Sequence, residues 1–359
     1  MFDKLRPFIF KFSPEVAHSL AIKALKLNAI PKKKIENQSI LKTEIFNKTL
    51  ENPIGVAAGF DKNAEVYNSL FNLGFGFVEV GTITPEPQYG NPKPRVFRLE
   101  EDEALINRLG FNNSGSNEIY NKIEKNKSNG FLGINIGPNK KSVNRIEDYI
   151  KCLKKFYNVA DYITINISSP NTENLRNFHK EEEMNNLLSK IKEEKEKLKP
   201  ELPIAVKISP DIENKSIEDI CDILVNHSID ILIVSNTTEK NREALKNINK
   251  LEKGGLSGKP VENRSNELVK LFYKNLKNKI KIVGVGGVSS GKDAYEKIIR
   301  GASLVQLYTG MVYRGPDIAN KINKELIEIL AKEGVKNISQ IVGLKNWYWR
   351  INPLILYKH

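Results

Sequence analysis

In the stretch Tyr162-Ile-Thr-Ile-Asn-Ile-Ser-Ser-Pro-Asn171, β-branched residues run straight into Asn166, Ser168, Ser169, Pro170 and Asn171. A turn needs only Gly, Pro or Asn, so amides and hydroxyls crowded at one strand end describe a place that hydrogen-bonds a polar ligand. The plainer alternative is an Asx-type turn. Two lysines add charge: Lys62 in Gly59-Phe-Asp-Lys62, and Lys207 in the apolar run Ala205-Val-Lys-Ile. A lysine drawn into an apolar setting is costly unless paired, and such cations hold an anionic ligand or stabilise negative charge on a cofactor ring. Asp61 offers Lys62 a partner; Lys207 has none nearby in sequence.

A glycine-rich segment, Gly284-Val-Gly-Gly-Val-Ser-Ser-Gly-Lys-Asp293, points to phosphate. It fails as a P-loop because Asp293 stands where a Ser or Thr must ligate magnesium, and as a dinucleotide fingerprint because Ser289 takes the third Gly position. What remains is a turn of free backbone amides leading into a helix that begins near Ser290. Gly301-Ala-Ser-Leu-Val-Gln-Leu-Tyr-Thr-Gly310 supplies a second such loop, and a phosphorylated cofactor follows. His18, His179, His227 and His359 are scattered, no G-x-S-x-G elbow exists, and no His, Cys or carboxylate cluster has metal spacing. Redox chemistry by a bound organic cofactor fits these parts; metal-assisted hydrolysis and triad chemistry do not.

Eight short β-branched runs position these residues: Pro53 to Ala58, Phe77 to Thr82, Phe131 to Gly137, Tyr162 to Ile167, Pro203 to Ser209, Asp230 to Ser235, Lys281 to Gly287 and Ser303 to Tyr308. Amphipathic segments of helical period lie between most of them, such as Glu181 to Leu198 and Asn263 to Lys277. Alternation of this kind predicts right-handed crossovers and a parallel sheet, and eight units favour an α/β protein built as a closed (β/α)8 barrel. Barrel sites assemble at the C-terminal strand ends. Here those ends read Ala57-Ala58-Gly59, Thr82, Asn135, Asn166 with Ser169, Lys207, Ser235-Asn236-Thr237, Gly286-Gly287 and Tyr308-Thr309, the rim of one pocket. The longest insertion, about residues 83–129, has room for extra strands or a lid.

The first forty residues differ in kind. Phe2, Leu5, Ile9 and Phe12 share one helical face, and Ser13-Pro14-Glu15 supplies an N-cap with Pro at the first helical position before Val16, Leu20, Ala24 and Leu27. With Lys4, Arg6, Lys11, Lys23 and Lys26 around these faces and Lys32-Lys33-Lys34 beyond, the pair predicts an amphipathic hairpin. It either lies on a membrane surface or plugs one end of the barrel. Lys11 cuts the apolar run, so it is no secretory signal, and no stretch approaches the ~18 apolar residues of a spanning helix.

The 359-residue chain carries a formal charge of +13, but only 11 of its 56 basic residues are Arg. Lys scattered among Glu and Asn is a solubility pattern rather than a nucleic-acid groove, so no nucleic-acid partner is expected. Cys152 and Cys221 suit a reducing compartment.

Taken in order, Ala57-Ala-Gly-Phe-Asp-Lys62, Asn107-Arg-Leu-Gly-Phe-Asn112, Asn166-Ile-Ser-Ser-Pro-Asn171, Ser235-Asn-Thr-Thr238, Gly254-Gly-Leu-Ser-Gly258 and the Gly284 turn resemble the dihydroorotate dehydrogenase family, over about residues 7–330. The resemblance implies a (β/α)8 barrel that holds FMN and oxidises (S)-dihydroorotate to orotate in pyrimidine (UMP) biosynthesis. In that family a Cys at the position of Ser169 marks the soluble, fumarate- or NAD-linked enzymes, and Ser marks the quinone-linked, membrane-associated class. Ser169 therefore implies the quinone-linked class, and shifts the N-terminal hairpin toward peripheral membrane contact on the cytoplasmic side of the cell membrane.

Carried over position by position, the resemblance implies Ser169 as the base that takes the C5 proton while hydride leaves C6 for the flavin. Lys62, Asn107, Arg108, Leu109, Gly110, Phe111, Asn166, Asn171, Asn236 and Thr237 would surround substrate. Ala58, Gly59, Lys62, Thr82, Asn135, Asn166, Lys207, Ser235, Gly258, Gly287, Tyr308 and Thr309 would hold FMN, with Lys207 facing negative charge on its ring. His18 and Arg98 match quinone-pocket positions. Pro138 stands where the family usually has Lys, and Ser235 where Thr is commoner. The expected division is a helical extension over 1–40, the barrel over 41–335 and a C-terminal extension over 336–359. Trp347-Tyr-Trp-Arg350 and Leu354 to Lys358 in that tail could pack on the barrel, form an oligomer contact or touch lipid.

Overall fold

The computed structural model describes residues 2–27 and 38–347; Lys32 to Lys34 and the tail after Trp347 lie outside the described residues. All eight expected strands form and close into one parallel barrel: β3 (Ile54–Val56), β4 (Phe77–Ile83), β7 (Phe131–Ile136), β8 (Tyr162–Asn166), β9 (Ile204–Ile208), β10 (Ile231–Val234), β12 (Lys281–Val285) and β13 (Leu304–Leu307). Apart from β4, they end one or two residues before the sequence runs do, because the polar tip residues leave the ladder to line the rim. Helices fill the crossovers. Glu181–Leu198 matches its expected span, and Glu262–Leu276 is displaced by one residue.

Residues pointing outward from the strands, such as Val78, Val80, Ile134, Ile163 and Val206, pack against the helices in the large core. Inward residues obey the period-two alternation and fill the barrel in layers. At its N-terminal end Phe77, Phe131, Tyr162, Ile231 and Leu304, most of them the first residues of their strands, cluster with Ile45 and Leu50. Those two belong to an antiparallel hairpin, β1 (Thr43–Ile45) and β2 (Lys48–Leu50). This hairpin, which three-residue strands hid from pattern reading, is the barrel's floor.

The long insertion carries strands. β5 (Val96–Leu99) and β6 (Ala104–Asn107) form an antiparallel pair, joined by β11 (Gly255–Gly258) from the β10–β12 connection. β11 was not legible as a strand, since its Gly-rich sequence has poor β-propensity and only pairing with β6 holds it extended.

The N-terminal helices α1 (Phe2–Ile9) and α2 (Pro14–Lys26) dock at the rim, not the floor. Arg6 donates to the Tyr313 carbonyl at 3.2 Å, Glu15 pairs with Arg95 at 3.0 Å, and the His18 ring meets Phe60 edge-on at 5.2 Å. These three contacts seat the hairpin at the C-terminal end of the barrel. Ser13 precedes α2 as expected, but its side chain makes no capping bond. α1 stops at Ile9, so Phe12 lies in the following turn. Ile22 and Leu25 are buried, whereas Leu5 (47%), Phe8 (64%), Phe12 (51%), Val16 (47%), Leu20 (47%) and Leu27 (79%) remain exposed. The apolar face expected from Val16 and Leu20 thus looks outward, and a different stripe seats the hairpin. No described helix is long and apolar enough to cross a membrane.

Candidate active site

The C-terminal strand ends surround a pocket of about 1200 Å³, open solvent at its mouth included, lined by residues from all but one of the barrel strands or their exit loops, together with the β5–β6–β11 sheet. The sequence-predicted residues Ala58, Gly59, Lys62, Thr82, Asn107, Leu109, Gly110, Phe111, Asn166, Ser169, Asn171, Lys207, Ser235, Asn236, Thr237, Gly258, Gly287, Tyr308 and Thr309 all line it. Asn135 does not: it is fully buried one layer down, and its side-chain oxygen accepts from Thr82 at 2.6 Å and Asn166 at 3.1 Å. A register shift in β4 between Gly81 and Ile83 brings Thr82 into that contact. Arg108 is a correction too. It is not among the cavity-lining residues, and its side chain pairs with Glu252 at 2.6 Å and covers the Phe97 ring at 4.5 Å.

At the β8 tip the two serines part company. Ser168 Oγ donates to Asn166 Oδ1 at 2.8 Å and accepts from Asn236 Nδ2 at 2.8 Å, whereas Ser169 faces the cavity. Ser169 Oγ accepts from the Asn171 amide at 3.2 Å and its proton stays uncommitted. Asn171 Nδ2 donates to Asn107 Oδ1 at 3.2 Å, which ties the β8 tip to the end of β6.

Lys207 pairs in register with Asn166 and projects into the cavity without a hydrogen bond or ion pair among the described residues. Burial lowers its pKa, and the Glu79 carboxylate opposes that. Glu79, the lone carboxylate in the apolar run of β4, lies fully buried inside the barrel and was missed in the sequence, although an acid on the inward period of a buried strand was signal enough. It accepts from Asn135 at 2.8 Å, Tyr162 at 2.9 Å and Gln306 at 2.9 Å. Lys62 donates to the Gly59 carbonyl at 2.5 Å. Asp61 is not its ion-pair partner, because that carboxylate accepts the Glu65 and Val66 amides at 2.7 and 2.8 Å. Burial, with help from the Arg95 charge, pushes the Lys62 pKa down to about 8.

The opposite wall is glycine. Gly286 and Gly287 leave β12 with φ of 116° and 77°, and a Cβ on Gly287 would sit 2.4 Å from Glu262. Only glycine allows this turn to expose its amides. The expected helix follows at Gly291–Ile299, its first turn capped by Ser290 Oγ accepting the Asp293 amide at 3.2 Å. Two polar atoms around the cavity, Thr237 Oγ1 and Asn112 Oδ1, are buried without a partner in the protein. Buried polar groups are satisfied by something, so this wall is made for a ligand rich in donors and acceptors. The donor set fits a flavin: amides and a lysine for the ring heteroatoms, glycine turns for a phosphate. Among the described residues no His, Cys, Asp and Glu group could hold a metal.

His18 and Arg98 lie outside this cavity, under the N-terminal hairpin. The Phe60 ring stacks edge-on between His18 and Tyr308, at 5.2 and 5.9 Å, and so spans the hairpin and the cavity wall. Burial and the Lys62 charge push the His18 pKa down to about 3, which keeps the ring neutral. Arg98 covers the Phe10 ring at 4.5 Å and donates to the Phe12 carbonyl.

The family model of dihydroorotate dehydrogenase matches residues 40–330. The chain belongs to the dihydroorotate dehydrogenase family. A relative from Bartonella henselae, named dihydroorotate dehydrogenase (quinone), is 46% identical over 349 residues, 96% of each chain. The mitochondrial dihydroorotate dehydrogenase (quinone) of Mus musculus is 42% identical, covering 92% of this chain and 86% of its own. A crystal structure of the Eimeria tenella family member in complex with ferulenol superposes with a TM-score of 0.89 at 39% identity, covering 93% of this chain and 96% of that one. Family membership and the loaded rim therefore agree.

Proposed function

We propose that this protein oxidises (S)-dihydroorotate to orotate in pyrimidine biosynthesis, with FMN as hydride acceptor and a membrane quinone as final acceptor. The observation that carries the reading is Ser169, a serine on the β8 tip whose hydroxyl faces the cavity, together with Lys207, five side-chain amides and a glycine turn. Once bound, FMN supplies the chemistry the side chains lack, accepting hydride from the substrate and passing the electrons to quinone.

The chain's own residues do the rest. Asn107, Asn166, Asn171, Asn236 and Thr237 present amides and a hydroxyl that match a ring of alternating donors and acceptors, and Lys62 meets the substrate carboxylate. Ser169 takes the proton at C5 as its own hydroxyl proton passes along a relay to solvent; a serine is a weak base, so the step needs that relay and a dry, closed site. Lys207 would supply positive charge to the flavin as it becomes anionic. Gly258, Gly287, Tyr308 and Thr309 line the phosphate and ribityl end. The quinone-linked names of the relatives and the outward apolar stripe of α1 and α2 support peripheral contact with the cytoplasmic side of the cell membrane, quinone passing His18 and Arg98. In this division 1–40 is the quinone-access segment, 41–335 the catalytic barrel and 336–359 an appendage.

The test is anaerobic mixing of the purified protein with dihydroorotate, then parallel reoxidation by a ubiquinone analogue, fumarate and NAD⁺. Bleaching of the flavin with recovery by quinone alone is expected. Failure to bleach overturns the substrate, and recovery by fumarate or NAD⁺ overturns the class.

A further inference from the structure

Behind the cavity, the Arg176 side chain makes four hydrogen bonds. It sits in the 3-10 turn Leu175–His179, which follows the Ser169 loop. Its Nε donates to the Ser168 carbonyl at 3.1 Å and Nη2 to the Thr237 carbonyl at 3.0 Å. Nη1 reaches Asp211 at 2.9 Å and Glu239 at 3.2 Å. The acceptors belong to the loops leaving three consecutive strands, β8, β9 and β10. Asp211 tightens the same tie, for the Thr238 hydroxyl donates to its Oδ1 and the Glu239 amide to Oδ2 at 3.0 Å.

Two features set this pair apart from an ordinary surface ion pair. The side chains of Arg176 and Asp211 are 23% and 12% exposed, so solvent screens them little. And the two carbonyls that Arg176 holds are immediate neighbours in the chain of Ser169 and of Asn236, residues that line the cavity while Arg176 itself does not. A planar guanidinium presents five donors in a fixed fork, so it can hold several acceptors at set mutual distances; an ammonium cannot.

We propose that Arg176 is the positioning residue that locks the proton-abstracting loop after β8 to the substrate-orienting loop after β10, with Asp211 as its anchor. The base and the amides that orient the substrate then move as one body. The inference rests on the function proposed above, in which Ser169 is the base. Because a misplacement of about 1 Å can lower a rate about 100-fold, a tie that lies outside the cavity can govern the chemical step.

The experiment uses the full-length holoenzyme and two variants, Arg176→Lys and Asp211→Asn, with the double variant. Four quantities are read: FMN content, orotate affinity from the flavin absorbance change, the single-turnover rate of flavin reduction per bound flavin, and the rate of reoxidation by a ubiquinone analogue. The inference expects FMN content within about twofold of the parent, weaker orotate binding, reduction slowed roughly 10- to 100-fold per flavin, and unchanged reoxidation by quinone. The double variant should be no slower than Arg176→Lys, since both changes break one tie. Reduction per flavin that equals the parent's would overturn it, as would a loss that simply tracks lost FMN. If the parent's flavin is not bleached by dihydroorotate, the proposed function has failed instead.

Discussion

The Asn236 side-chain amide donates to the Ser168 hydroxyl at 2.8 Å, and that hydroxyl donates onward to Asn166 at 2.8 Å. Ser168 is thus spent on joining two strand tips, which leaves Ser169 as the hydroxyl of the pair with a proton to move. This difference between the two serines supports the proposed choice of Ser169 over Ser168 as the base, beside the family resemblance.

Ser169→Ala should keep FMN but slow anaerobic flavin reduction by about 10²- to 10⁴-fold, the usual range for a lost general base. Stopped-flow absorbance measures it. A rate equal to the parent's refutes the role of Ser169.

Lys62 gives a pH signature. Its pKa stands near 8 without ligand, below the unfolded value, so its ammonium is held against burial and is lost as pH rises through 8. An anionic ligand stabilises the charged form and raises that pKa, so orotate should bind with proton uptake above pH 8 and with affinity that declines as pH rises further. The sign for stability follows from the same shift: the unfolded chain binds more protons between pH 8 and the usual lysine range, so this residue makes the ligand-free fold more stable with rising pH there. Orotate titrations across that window in two buffers of different ionisation enthalpy check the uptake; a flat affinity counts against Lys62 as the carboxylate partner.

How much of this was legible in the sequence depends on what each residue answers to. The eight strands were, because their inward and outward positions both face apolar neighbours and leave continuous β-branched runs. The rim was legible because the runs end in amides, hydroxyls and glycines. Glu79 and Arg176 were not recognised, since their meaning comes from partners up to 227 residues away, as in the Glu79–Gln306 bond. β11 was missed because half of its sequence is glycine, and the direction of Arg108 because a backbone motif does not say where its side chain goes.

Removing residues 1 to 35, or replacing His18 with Ala, should leave flavin reduction by dihydroorotate intact and impair turnover with quinone. The deletion should also abolish co-flotation with anionic vesicles, given six apolar side chains 47–79% exposed on or beside α1 and α2. Equal quinone turnover in the truncated protein would remove the hairpin from the acceptor path.

Tyr162→Phe should destabilise the barrel by about 1–3 kcal/mol, because it withdraws one of three donors from the fully buried Glu79 carboxylate. Urea unfolding of the FMN-loaded protein reads this directly, and a midpoint matching the parent's would mean that the remaining donors compensate.

The floor hairpin, β1 with β2, follows the N-terminal helices in the chain, yet the helices dock at the opposite end of the barrel. The joint between the helices and the barrel therefore falls before the floor hairpin in the chain. A cut at that joint leaves the base of the barrel sealed. The two parts are separable by design of the connectivity, and residues 2–27 added back as a peptide have a seat defined by Glu15, His18 and Arg6 to return to.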